Sequence, residues 1–140
     1  MCGIAGSFAH DRFAPPVSSS ELLAVRDAMA VRGPDGAGLW VDDRATVGLA
    51  HRRLSIIDLT DSGFQPMTSA GGRAVIVFNG EIYNFRELRT ELEEVGVRFV
   101  SNSDTEVLLH LYERHGADML PKLRGMFAFA LYDKERGGLF

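Results

Sequence analysis

The sequence predicts an α+β domain in which layered β-sheets are sandwiched by helices. Three observations carry this reading. Extended segments come first, helical segments gather in the middle and an extended segment returns at the end, an order that does not match regular βαβ winding. Some of the extended segments, Ala74–Phe78 above all, are apolar at every position, so both of their faces need cover. The chain has 140 residues, the size of one domain, and can bury roughly 68–70% of the surface its unfolded form exposes.

Cys2–Phe8 is short, apolar and glycine-containing, and reads as a buried strand. Phe13–Val17 holds two prolines and reads as loop. Ser18 with Glu21 matches a capping box, and Leu22, Leu23, Val25, Ala28 and Met29 follow at helical spacing. Gly33-Pro34 is expected to stop that helix, with the glycine as a left-handed cap. Arg32–Gly36 is a turn-rich joint. Leu39–Val41, Thr46–Ala50 and Leu54–Leu59 are expected strands, Asp61–Gly72 a loop and Ala74–Phe78 a covered strand. Asn84, with Glu87 three residues on, is expected to cap a helix with the stripe Phe85, Leu88, Leu92 and Val95, ended by Gly96. Ser103 and Glu106 form another capping box, opening a helix through His115 whose face is Val107, Leu108, Leu111 and Tyr112. Met126–Asp133 is a long strand, and Lys134–Gly138 turns into Leu139-Phe140, which reads as the start of a hairpin partner. That ending implies a fragment of a longer protein. No internal repeat or low-complexity segment occurs.

Composition narrows the function classes. Hydrophobic residues at 46% and charged residues at 24% argue against disorder. A net charge of −4 gives no electrostatic footprint for nucleic acid or anionic lipid. The chain lacks the run of about 18 apolar residues that a membrane helix needs. The single cysteine, Cys2, excludes an intrachain disulfide and a cysteine-rich zinc site. His10, His51, His110 and His115 show no metal spacing and read as structural or solvent-facing, so no metal is expected. No basic leader precedes Cys2, which argues against a signal peptide or a lipoprotein and makes the cytoplasm the expected compartment.

Four places can carry chemistry. Cys2 is either a small packed hydrophobe or a nucleophile. Removal of Met1 would leave a thiol and a free α-amine on one residue. A free α-amine has a pKa of about 7.7–8.0, so a neutral fraction can take the proton of a thiol near neutral pH. Asn79-Gly80-Glu81 follows a buried strand and reads either as a hairpin turn or as an oxyanion hole built from a side-chain amide and a glycine N–H. In His51-Arg52-Arg53, between two expected strands, alternation sends the two arginines to different fates, and one of them can clamp a carboxylate. Asp104 is either favourable charge in the first turn of a helix or a partner for a substrate ammonium.

Together these residues resemble a known family. The pieces are Met1–Gly6, Arg32–Gly36, Leu49–Asp58, Gln65-Pro66, Phe78–Asn84, Ser103–Glu106 and Leu123–Ala130, in order over nearly the whole chain. The chain is similar to the N-terminal glutaminase domain of class II, N-terminal-nucleophile glutamine amidotransferases, and within them most similar to the glutamine-hydrolysing asparagine synthetases. The resemblance implies a four-layer αββα sandwich over residues 1–140, cut short at its C-terminal end. It implies Cys2 as nucleophile and Asn79 and Gly80 as oxyanion hole. Arg53 would bind the glutamine α-carboxylate, Asp104 and Glu81 its α-amino group, and the backbone around Ile56 and Ile57 would line the pocket. The implied partners are L-glutamine and a C-terminal synthetase domain using ATP and magnesium to amidate aspartate; the glutaminase domain itself needs no cofactor. The serine-glycine-glycine signature of that second domain does not occur here. A homodimer is one assembly open to such a chain. Two other readings stay open: a glutaminase domain serving a different acceptor, and a non-catalytic module of the same fold.

Overall fold

The computed structural model describes residues 1–140, which form two antiparallel sheets. β1 (Gly3–Phe8), β2 (Gly36–Val41) and β3 (Val47–Arg53) make the first, in the order β1-β3-β2. β4 (Met67–Thr68), β5 (Ala74–Ile82), β6 (Gly125–Asp133) and β7 (Gly138–Leu139) make the second, in that order. Helix α1 (Ser19–Ala28) packs on the first sheet, and α2 (Phe85–Glu94) and α3 (Asp104–His115) pack on the second. The result is the expected αββα sandwich.

Period-two alternation assigns each strand residue to a layer. On β3, Val47 and Leu49 face the other sheet, while Ala50 faces α1 beside Val17 and Leu22. On β5, Val75 and Val77 meet Val47 and Leu49 between the sheets. Ala74, Ile76, Phe78 and Ile82 turn the other way, against Leu88 and Leu92 of α2 and Val107, Leu108 and Leu111 of α3. Residues 74–78 are therefore all buried, as a strand covered on both faces requires. Burying each Val or Leu contributes about 1.5–3 kcal/mol, so an aspartate at Val77, wholly enclosed between the sheets, would break the stack.

Several local expectations are corrected. β1 is not a buried strand: it lies at a sheet edge, and only Gly3 in it is buried. Gly33 is no left-handed cap, for α1 ends at Ala28; glycine is needed because a Cβ there would run into the backbone of Arg52. Leu54–Leu59 forms no strand but an irregular loop. Its polar groups are taken up one at a time: Leu54 N–H and C=O by Cys2 Sγ, Ser55 N–H by the Asp35 carboxylate. The Asp61–Gly72 loop carries a 3₁₀ turn at Asp61–Gly63 and the short β4. Asn84 sits at the helix start without capping it; its amide bridges to Lys122 O and Arg124 N instead. Ser103 caps α3 through Thr105 N–H, and Glu106 reaches Val100 and Ser101 rather than closing a reciprocal box. No helix is long and apolar enough to cross a membrane.

Candidate active site

The apolar filling between the sheets gives out at one level on three strands. Past Leu49, the inward face of β3 continues as His51 and Arg53. Past Val77, that of β5 continues as Asn79. On β1, Ile4 packs in the same layer, so Cys2 lies one step beyond it. Where the core ends, a cavity of about 270 Å³ opens. All eight residues singled out from the sequence line it: Cys2, Arg53, Ile56, Ile57, Asn79, Gly80, Glu81 and Asp104.

Cys2 Sγ accepts from Leu54 N at 3.3 Å and points its own hydrogen at Leu54 O, 3.6 Å away. The Cys2 carbonyl accepts from Arg32 Nε at 3.2 Å, and Met1 ahead of it is 67% exposed.

The arginines separate as alternation requires. Arg53 is buried at the cavity wall, while Arg52 lies on the α1 face, near enough to Asp27 to favour its charge. Arg53 Nη1 donates to Thr60 O at 2.9 Å and Nη2 donates to Asp58 O, with the guanidinium 5.1 Å from the Phe64 ring centroid. Asp58 organises this wall. Burial opposes its charge, but donors from Thr60, Asn102 and Ser62 outweigh that and hold its carboxyl down to about 2. Because Asn102 precedes α3, Asp58 also ties the arginine loop to the helix carrying Asp104.

Asn79 and Gly80 lie inside β5, opposite Ala128 and Phe127 of β6, which removes the hairpin-turn reading. Position 80 has no room for a side chain: a Cβ would meet the Met126 carbonyl oxygen and the Phe127 backbone. Asp104 Oδ2 accepts from Ile82 N at 3.1 Å. Burial pushes its carboxyl pKa up, outweighing the backbone N–H groups of Ile82, Thr105 and Asp104 that oppose it, and the negative charge of Glu81 adds to the rise. Arg53 is thus the one cationic side chain of the lining; of its three acids, Asp58 is satisfied by hydroxyl and N–H donors, while Glu81 and the buried Asp104 are in no ion pair.

Two further residues, His51 behind the cavity and Gln65 in its lining, had no catalytic or binding role in the sequence reading. His51, expected as structural, is fully buried and its Nε2 lies 3.1 Å from Phe78 O. A carbonyl only accepts, so Nε2 carries the hydrogen, and Nδ1 is a buried acceptor without a partner. Burial, aided by the Arg53 charge and opposed by the Phe78 bond, lowers the His51 pKa to about 4. Gln65 accepts from Phe78 N at 2.6 Å and donates to Thr105 Oγ1 at 3.1 Å. It appeared in the sequence only as one half of the Gln65-Pro66 pair, and no local pattern marks partners so far along the chain. No group of three His, Cys, Asp or Glu side chains is placed to hold a metal ion.

The fold is that of an amidotransferase domain: the chain belongs to the glutamine amidotransferase domain family, whose model matches residues 1–140. Among individual relatives, asparagine synthetase [glutamine-hydrolyzing] 1 of Bacillus subtilis is 45% identical over 135 residues, covering 96% of this chain and 21% of that protein. Amidase chry2 of Gibberella zeae is 40% identical over 144 residues, covering 97% of this chain and 21% of that protein. The chain thus spans about a fifth of the length of these curated relatives. The solved structure of glutamine phosphoribosylpyrophosphate amidotransferase from Bacillus subtilis, complexed with ADP and GMP, overlays with a TM-score of 0.67 over 93% of this chain and 35% of that one. At 24% identity that likeness is one of fold.

Proposed function

We propose that this domain hydrolyses the side-chain amide of L-glutamine to glutamate and ammonia. The observation that carries the reading is the set of groups that share one cavity: the Arg53 guanidinium, the acids Glu81 and Asp104 in no ion pair, and the Cys2 thiol with Asn79 and Gly80. A zwitterion fits this set, its α-carboxylate on Arg53 and its α-ammonium on Asp104 and Glu81, with the backbone around Ile56 and Ile57 along its length. Its side-chain amide then reaches Cys2.

With Met1 removed, the Cys2 α-amine takes the thiol proton as Sγ attacks the amide carbon. Asn79 and the Gly80 N–H stabilise the developing oxyanion. The C–N bond breaks, the nitrogen leaves as ammonia with that proton, and a γ-glutamyl thioester remains. Water attacks the thioester, the C–S bond breaks, and glutamate departs as the thiol regains its proton. Nucleophile, base and oxyanion donors all belong to this chain, so the step as written uses no cofactor.

In the longer protein we place ammonia transfer to a synthetase domain that amidates aspartate with ATP and magnesium, in the cytoplasm, where Cys2 stays reduced. The full-length protein tests this. Ammonia release should be specific to L-glutamine and lost in Cys2→Ala, while asparagine formation from added ammonia persists. Glutamine hydrolysis by Cys2→Ala would refute the thioester route, and failure to amidate aspartate from ammonia would refute the acceptor.

A further inference from the structure

We infer that Gln65 is a positioning residue that sets the oxyanion edge of β5 against the first turn of α3; its catalytic consequence rests on the glutamine reading above. β4 is two residues long and reaches β5 only at Val75 and Ile76. Beyond Ile76, that edge of β5 has no strand neighbour. The alternation of an antiparallel ladder turns the N–H groups of Phe78, Gly80 and Ile82 to this open edge, away from β6.

Side chains stand in for the missing strand. Gln65 Oε1 takes the Phe78 N–H, His51 Nε2 takes the Phe78 carbonyl, and Asp104 Oδ2 takes the Ile82 N–H. Between them, the Gly80 N–H receives no side-chain acceptor and is left for the cavity. The strand end that presents Asn79 and Gly80 is therefore held from one side by Gln65 and His51.

Gln65 does more than replace a ladder bond. A backbone N–H only donates, so Oε1 must face Phe78, which aims Nε2 at Thr105 Oγ1. Thr105 directly follows Asp104, and its own N–H is fixed by Ser103 Oγ. One buried side chain thus joins β5, just before Asn79-Gly80, to the helical turn that carries Asp104. Those are the two points that must match a substrate of fixed length: the donors at the reacting amide and the carboxylate at the ammonium. Gln65 also lines the cavity, but these two bonds turn both ends of its amide to protein partners, and it acts through them.

Gln65→Met, similar in length and unable to form either bond, tests this in the full-length protein by hydrogen exchange, glutamine kinetics and iodoacetamide alkylation of Cys2. Exchange in the peptide covering Phe78–Ile82 should quicken about tenfold or more, while that of Val107–Leu111 stays unchanged. The kcat for glutamine should fall roughly 10–100-fold, as small misplacements of reacting groups do. KM should change less, within about threefold, and the alkylation rate of Cys2 should hold. Thr105→Val should reproduce part of the kcat loss and Thr105→Ser should restore it, a comparison that decides the matter if Gln65→Met fails to fold. Unchanged exchange, unchanged kcat in a folded variant, or equal loss from Thr105→Ser and Thr105→Val would each overturn the inference. Faster exchange in Gln65→Met alongside a wild-type protein that releases no ammonia would instead refute the glutamine reading and leave the clamp standing.

Discussion

Sealed beneath the candidate site, His51 makes a quantitative test of the packing. Its pKa is lowered to about 4, against 6.5 for an unperturbed histidine. Above pH 6.5 the imidazole is neutral folded and unfolded, and stability does not depend on it. Between 6.5 and 4 the unfolded chain takes up a proton that the native protein refuses, so stability falls as pH falls, by about 1.4 kcal/mol per unit. The sum over that window is roughly 3 kcal/mol. Below 4 the native imidazole protonates as well and the slope ends. His51→Gln keeps an amide donor for the Phe78 carbonyl and removes the proton. Urea titrations at pH steps from 7.5 to 4 should show the stability of wild type relative to His51→Gln dropping by about 3 kcal/mol across the window. Asp58 and Asp133, both held down to about 2, lose stability only below the ordinary carboxylate range and do so in both proteins. Parallel curves for the two proteins would mean that His51 ionises normally, and the sealed wall described here would be wrong.

Three further outcomes are expected. Arg53→Ala should raise the glutamine KM by about 10–100-fold, the worth of a charge-assisted bond of roughly 1.5–3 kcal/mol, while synthesis from added ammonia persists; an unchanged KM would remove Arg53 as the clamp, with Arg52 no substitute because it faces α1. Asn79→Ala should lower kcat by about 10²–10³ with little effect on KM, since its amide would act on charge present mainly in the tetrahedral intermediate; a kcat within about threefold of wild type would strip it of that role. Asp133→Asn breaks the 2.7 Å pair with Arg73 and weakens the Tyr112 bond; with Arg73 partly exposed, it should cost about 2 kcal/mol by urea titration and leave the glutamine KM alone, and a shifted KM would reveal coupling to the site that the fold does not explain.

Much of the fold was legible because it depends on local periodicity. The unbroken run Ala74–Phe78 announced a strand covered on both faces, and the adjacent Arg52 and Arg53 did divide between two layers. What stayed hidden depends on partners far along the chain. Leu54–Leu59 carries strand-forming residues, yet no strand lies beside it, and Cys2 and Asp35 take its first backbone groups instead. Asp58 joins Thr60 and Ser62 to Asn102, and Gln65 joins Phe78 to Thr105. A polar residue in a loop carries no mark of a bond to residues tens of positions away. Gly33 misled for the same reason: its requirement comes from the backbone of Arg52, not from the helix end before it.

In the proposed route one residue, Cys2, supplies both nucleophile and base, so blocking its α-amine should stop glutamine hydrolysis. Any residue retained ahead of Cys2 turns that amine into an amide that cannot take the thiol proton near neutral pH, while the thiol and the fold are left in place. The full-length protein with an uncleavable N-terminal extension is compared with the same protein after Met1 removal, each verified by intact mass, with synthesis from added ammonia as the folding control. Loss of the general base should cut glutamine hydrolysis by about 10²–10⁴ in the extended form while the control reaction holds. Equal ammonia release from glutamine by the two forms would mean that the Cys2 α-amine is not the base.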